Sequence, residues 1–293
     1  MTNDSLDNGV RLRSSSRWNF LFLLLRKKTA VLGLVLCLVV IFTAVLAPVI
    51  APYDPLKIDA YKRLQRPSRE YWFGTDELGR DVLSRIIYGT RVSLSVGVIS
   101  IIIALAVGTP LGLLCAFYGG TVDGVIMRVM DALAAFPAIL LALAILSAMG
   151  PSVRNAMIAI GISFLPAFSR LTRGNALSVK ENEYVDAARA CGASNLYIMF
   201  RTILPNCLAP VLVHASIGFA NSIIVEAGLS FLGLGAQPPT PSWGAMLQEG
   251  RQFMSQTVWY SIAAGMAIFV SVLGVNLVGD GLRDVLDPRL RGR

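Results

Sequence analysis

Four polar side chains, His214, Asn221, Ser222 and Glu226, interrupt the apolar run 208–232. At about 100° per residue they fall within an arc of roughly 140° on one helix. A polar group in such a run is costly unless it faces a cavity or another helix. Two roles are therefore open, the lining of a polar pathway or hydrogen bonding between helices; Glu226, near one end of the run, could also reach water. His214 is the only histidine, which excludes a histidine metal cluster. Cys37, Cys115, Cys191 and Cys207 form no C-x-x-C pair and read as small apolar fillers or inert thiols. The chain has no Gly-Lys pair and hence no G-x-x-x-x-G-K-[ST] loop, which argues against nucleotide hydrolysis by this chain alone. A membrane enzyme would need a nucleophile, base or metal constellation. An ion-coupled secondary transporter would need midplane titratable groups and inverted repeats. Neither set is visible.

A second group is built for contact rather than chemistry. Asp186-Ala187-Ala188-Arg189-Ala190-Cys191-Gly192 is followed by Thr202-Ile203-Leu204-Pro205. Ser178-Val179-Lys180-Glu181 has capping-box spacing and predicts a helix start. Tyr184, Ala187, Ala188 and Cys191 recur at helical spacing and make one narrow apolar face. Alanines there permit close approach by a partner, although packing on the chain's own bundle would use the same pattern. Gly192, with Ala193 after it, can supply the left-handed cap that ends the helix. Pro205 restricts Leu204 and would let the chain turn into the next apolar run.

These residues must be positioned by membrane helices. The 293 residues are 55% hydrophobic and only 15% charged, whereas a soluble domain carries about 25% charge. Six apolar runs, 29–51, 92–118, 132–150, 155–169, 208–232 and 258–279, approach the roughly 20 residues a bilayer requires; the fourth is short, ends near Pro166, and could continue beyond Arg170 inside protein. Run 29–51 is too long for the apolar core of a signal peptide and reads as a retained span. The net charge is +8, and its cations cluster at the ends of apolar runs. That placement indicates orientation and contact with membrane lipid rather than nucleic acid. With six spans, the side holding both termini carries sixteen Lys and Arg against ten opposite, predicting termini in the cytoplasm.

The expected organisation follows. Residues 1–28 are a cytoplasmic tail, with 18–25 either an interfacial helix or an extension of the first span. Residues 29–51 are the first span, and 52–91 an extracytoplasmic segment that folds as a cap. Residues 92–279 are a five-helix core with a cytoplasmic loop at about 170–207, and 280–293 a cytoplasmic tail. Asp76 is expected to cap a helix starting at Glu77, and Asp81 to pair with Arg85 at i,i+4. Arg128 and Asp131 have i,i+3 spacing at the start of the third span and read as a brace or an inside anchor. Pro238, Pro239 and Pro241 stiffen an outer loop. Trp243 reads either as a headgroup anchor or, with Gln237, Pro238 and Pro239, as part of an outer mouth or docking loop.

The segment from Asp186 to Pro205 resembles the cytoplasmic motif of ABC importer permeases, E-A-A, three residues, G, nine residues, I-x-L-P. Asp186 replaces Glu, and Thr202 holds the isoleucine position. Gly74-Thr75-Asp76-Glu77-Leu78-Gly79-Arg80-Asp81, Gln237-Pro238-Pro239-Thr240-Pro241-Ser242-Trp243-Gly244 and Asp280-Gly281-Leu282-Arg283-Asp284 are similar to signatures of the dipeptide, oligopeptide and nickel branch, specifically its C-type subunit. The resemblance implies an all-α integral membrane protein of six transmembrane helices with the type I importer permease fold of maltose and methionine permeases. It implies a non-enzymatic subunit of the bacterial inner membrane with no cofactor of its own, ATP and Mg being held by two ABC ATPase subunits. A homologous B-type permease and an extracytoplasmic substrate-binding protein would complete the machine. Tyr184, Asp186, Ala187, Ala188, Cys191, Gly192, Ala193, Leu204 and Pro205 would form the ATPase coupling element. The cargo would be dipeptides or short oligopeptides, or else nickel complexes, opines or glutathione.

Overall fold

The computed structural model describes residues 25–286. The proposed interfacial helix therefore lies outside the described residues except for Leu25, and the C-terminal tail is described only to Leu286. Among the described residues the regular elements are helices, with one isolated bridge between Thr75 and Asp81.

α1 (Lys28–Val45) is apolar on nearly every face, with a mean hydropathy of 2.4 and only Ala30 and Gly33 buried. Such a helix is stable only in lipid. It meets the last helix, α12 (Trp259–Leu286), through small residues. A Cβ at Gly33 would lie 2.6 Å from Leu277 Cβ, and one at Gly274 would lie 2.9 Å from Leu36 Cβ. Glycine is thus what lets these two backbones approach. A single turn, α2 (Ala47–Ile50), ends this arm.

The second span starts at Val82 rather than at 92. α3 (Val82–Ile103) is capped by Asp81, which accepts from the Ser84 N–H at 2.8 Å. A π-helical turn at Ala104–Gly108 joins α3 to α4 (Thr109–Tyr118). The expected loop 119–131 is instead helical: α5 (Gly120–Ala134) leads into α6 (Ala138–Met149) through a 91° bend. Pro137 causes the break, because it lacks the N–H that would continue the helix and disfavours the helical region at Phe136. α6 has 12 residues, about 18 Å, too short to cross a core of about 30 Å alone.

α7 (Val153–Lys180) does not end at 169 but runs on for 28 residues through Pro166. Close packing holds it: a Cβ at Gly161 would be 2.8 Å from Ile103 Cβ, and one at Gly112 would strike the Ser169 carbonyl. α8 (Glu183–Ala190) follows, then α9 (Asn195–Tyr197), a π-helical stretch at Ile198–Ile203 and α10 (Leu204–Phe231). The expected turn at Leu204-Pro205 is absent. Leu204 is helical at φ −54°, ψ −45°, and Pro205 lies in the first turn of α10, where an N–H is dispensable. α11 (Trp243–Gln252) is a short outer helix before α12.

Five of these helical stretches are long and apolar enough to cross a bilayer, and the bent α5–α6 pair makes a sixth. Two contacts fix how that pair counts. Lys27 pairs with Asp284, so both ends of the described chain meet at one face. The 52–81 segment and α11 are joined at the opposite face, because Arg80 and Arg85 both reach Glu249. Both contacts require the bent pair to act as one crossing, giving six. The chain therefore has the all-α, six-span architecture.

Candidate functional site

At the face shared by the described termini, α8 lies across the ends of α4, α7 and the π-helical stretch. Ser178 does not cap it, since Ser178 is still inside α7. Asn182 takes the N-cap position, its side-chain amide donating back to Val179 O at 2.9 Å. The other end is a Schellman cap, with Gly192 N–H on Arg189 O at 3.0 Å and Ala193 N–H on Ala188 O at 3.1 Å. Gly192 has φ +79° and open space around it, so the backbone rather than crowding selects glycine.

The expected contact face divides in two. Val185 is fully buried against Leu113, Ala116, Ile198, Met199, Ile203 and Cys207, with Ala188, Ala193 and Leu204 packed on the same cluster. Ala188 thus faces inward. Tyr184, Asp186, Ala187, Cys191 and Pro205 are exposed. Leu196, Tyr197 and Phe200 extend this exposed surface, at 65%, 53% and 43%. Sequence reading missed this apolar extension; a soluble surface rarely leaves three such neighbours bare without a partner.

Cations of α7 lock the seat of α8. Arg173 grips Asp123 of α5 with two bonds of 2.6 and 2.5 Å, and Arg170 reaches Asp131 at 2.7 Å. The predicted Arg128–Asp131 brace is replaced by these pairs, because α5 turns its acids toward α7. Lys180 Nζ donates to the last carbonyls of α4, Ala116 at 3.0 Å and Phe117 at 2.7 Å. A cation at a helix C-terminus answers both its free carbonyls and its dipole.

The polar stripe of α10 does not act as a unit. Glu226 is 1% exposed and accepts from Ser93 Oγ of α3 at 3.0 Å and Ser230 Oγ at 2.7 Å. Its carboxylate is closed off from water and ties α10 to α3. Ser222 is also buried and donates to Phe219 O at 2.7 Å. His214 meets Phe168 edge-on at 5.0 Å, and Asn221 is the one member on the exposed face.

At the other face the 52–81 segment is clasped to the bundle by a buried ionic network. Asp76 is fully buried and does not cap a helix; it accepts from Arg80 Nε at 2.6 Å and also pairs with Arg85. Arg85 goes on to Glu249 of α11 at 3.0 Å, and Tyr260 donates to the same carboxylate. Arg85 therefore pairs with Asp76 and Glu249 rather than Asp81, which caps α3. Arg80 also holds Glu77 at 2.9 Å, while Glu77 Oε2 is buried without a partner. Burial and the neighbouring Asp76 carboxylate push the Glu77 carboxyl above its ordinary range. Trp243 is no headgroup anchor: it is 1% exposed and its indole donates to Ile86 O at 3.2 Å. Gln237, Pro238 and Pro239 are exposed, with a cis bond between the two prolines.

The described residues thus form a six-span helical membrane body with a fixed helix at one face and a clasped cap at the other. The model of the binding-protein-dependent transport system inner membrane component matches residues 108–292, and that of the N-terminal transmembrane domain of oligopeptide transport permease C matches 16–67. A dipeptide transport system permease protein of Alkalihalophilus pseudofirmus is 46% identical over 277 residues, covering 94% of this chain and 91% of the relative. One from Haemophilus influenzae is 43% identical, covering 93% and 94%. A glutathione transport system permease protein of Pectobacterium atrosepticum is 47% identical, covering 91% and 89%. Among solved structures, an inward-facing form of the MetNI methionine ABC transporter matches with a TM-score of 0.56 at 16% identity, covering 69% of this chain and 96% of that one. The chain belongs to the inner-membrane permease family of binding-protein-dependent transport systems.

Proposed function

We propose that this chain is the C-type permease subunit of an ABC importer that carries dipeptides or short oligopeptides into the cytoplasm. The observation that carries this reading is the relatives that are named for dipeptide transport and match along nearly their whole length. The glutathione relative is equally similar, and glutathione is itself a short peptide, so it stands as the second cargo. The face holding α8 and the termini is cytoplasmic, in line with its excess of Lys and Arg. ATP and Mg are bound by two separate ATPase subunits, and this chain holds neither. The exposed surface of Tyr184, Ala187, Cys191, Leu196 and Tyr197 seats one of them. A B-type permease pairs with this chain along α10, where Asn221 and its apolar neighbours are bare. A binding protein delivers cargo to the face carrying the cap and Gln237, Pro238 and Pro239.

The mechanism is alternating access. Closure of the ATPases pushes α8; Val185 and Ala188 pass that push into the packed ends of α4 and α7, and the Arg173–Asp123 and Lys180 links carry it to the spans. Reconstitution of the full importer in vesicles tests the cargo. Unlabelled di- and tripeptides should compete with labelled dipeptide uptake, whereas nickel chelates should not. Competition by nickel chelates alone would overturn the peptide reading.

A further inference from the structure

A groove of about 880 Å³ opens between α1, α3 and α12, beneath residues 66–73 of the cap. Val39, Ile262 and Met266 are among its walls. Its three hydroxyls are all turned onto their own helices: Thr43 donates to Val39 O at 2.8 Å, Thr90 to Ile86 O at 3.0 Å and Ser271 to Ala267 O at 2.8 Å. The Trp243 indole is likewise engaged with Ile86 O. A peptide in this groove would leave its amides unanswered, at a cost that excludes it. A hydrocarbon chain would lose nothing.

The dimensions select among apolar occupants. The groove follows α12 from Trp259 to Ser271, about 18 Å at 1.5 Å per residue. That is close to one leaflet of a hydrocarbon core about 30 Å thick. A packed helix is about 10–12 Å across with its side chains. An alkyl chain is far narrower. At the mouth stand Arg66, which has no carboxylate partner among the described residues, and Trp72 and Trp259, 68% and 48% exposed. Indoles at that level match the headgroup boundary.

We propose that this groove is a binding site for an anionic glycerophospholipid of the cap-side leaflet, with acyl chain between α1 and α12 and phosphate on Arg66. The site is independent of the cargo and of the ATPase contact. The test uses the full complex in nanodiscs of phosphatidylethanolamine and phosphatidylglycerol, either lipid carrying a photoreactive diazirine on its acyl chain, with adducts mapped by mass spectrometry. Adducts should concentrate on Val39, Ile262 and Met266 about fivefold over Phe42, which is 59% exposed on α1 outside the groove. Phosphatidylglycerol should label about fivefold more than phosphatidylethanolamine, and Arg66→Gln should abolish that preference. Ala267→Phe should fill the groove and bring labelling down to the Phe42 level. Should that variant fail to assemble, Arg66→Gln, outside the spans, still decides. Equal labelling of the groove and Phe42, no preference for the anionic lipid, or a cysteine crosslink from Ile262→Cys to another polypeptide would overturn the proposal.

Discussion

Gly192 shows how much one residue can decide. Its φ of +79° is closed to side chains at a cost of about 1–2 kcal/mol, while the space around it is open. Gly192→Arg should therefore leave the protein in the membrane and deform the end of α8, lowering uptake in vesicles at least about tenfold; a cost of that size is equivalent to roughly one decade in an equilibrium. That glycine was legible in the sequence because an αL cap needs it. The partners of the buried charges were not: Arg85, paired with Asp76, also finds Glu249 across 164 positions, and spacing carries no information at that range. Within that clasp Glu77 titrates high, so the folded state binds its proton more tightly than the unfolded chain does. Its stabilising effect is complete below the ordinary carboxyl value of about 4.3 and is lost as pH rises through the elevated folded value. Glu77→Gln should then melt higher than the parent at neutral pH, with the gap narrowing toward pH 4, as followed by thermal unfolding in detergent. Glu226→Gln retains an acceptor for Ser93 and Ser230, so uptake kinetics should stay close to the parent's if the carboxylate only joins helices; a large change in KM would place Glu226 on the pathway.

α8 illustrates why helical periodicity identifies a surface helix without assigning its faces. The stripe of Tyr184, Ala187, Ala188 and Cys191 was visible, yet Val185, one position off it, is what anchors the helix. Small and aromatic residues pattern alike whether they face a partner or a core, and only the neighbouring ends of α4 and α7 settle which. Burying a charge there is strongly unfavourable. Val185→Asp should therefore release α8 and abolish co-purification of the ATPase subunit while the six spans still insert; retained ATPase would show that α8 is not its seat. The same limit explains the bent α5–α6 pair. Hydropathy finds the apolar residues of 132–150 but not the direction of the chain, and Pro137 was the one local sign of a corner. Continuation of α7 past 169 was open in the sequence, but not what would support it: Arg170, Arg173 and Lys180 look like solvent-facing charges until Asp123, Asp131 and the α4 carbonyls are seen opposite them.

The number of crossings and the all-helical class were legible because lipid leaves the backbone few alternatives. What holds the two ends of the molecule was not. One face is tied by Lys27–Asp284 and the α7 cations, the other by the Asp76, Arg85 and Glu249 clasp, and both depend on residues far apart in the chain. Breaking one partner of a buried ion pair typically costs about 3–5 kcal/mol, so the cap moves with the bundle rather than as a loose loop. A push on α8 can then pass through a stiff body to the opposite face. The central claim is that this push comes from an ATPase subunit bound on the exposed face of α8. Cysteine crosslinking at that face tests it most directly, using Ala187→Cys in a Cys191→Ser background within the assembled importer. A covalent product containing the ATPase subunit, altered by nucleotide, is the predicted result. Failure of Ala187→Cys to capture any ATPase, with the thiol labelled only by reagents outside the cell, would contradict the account.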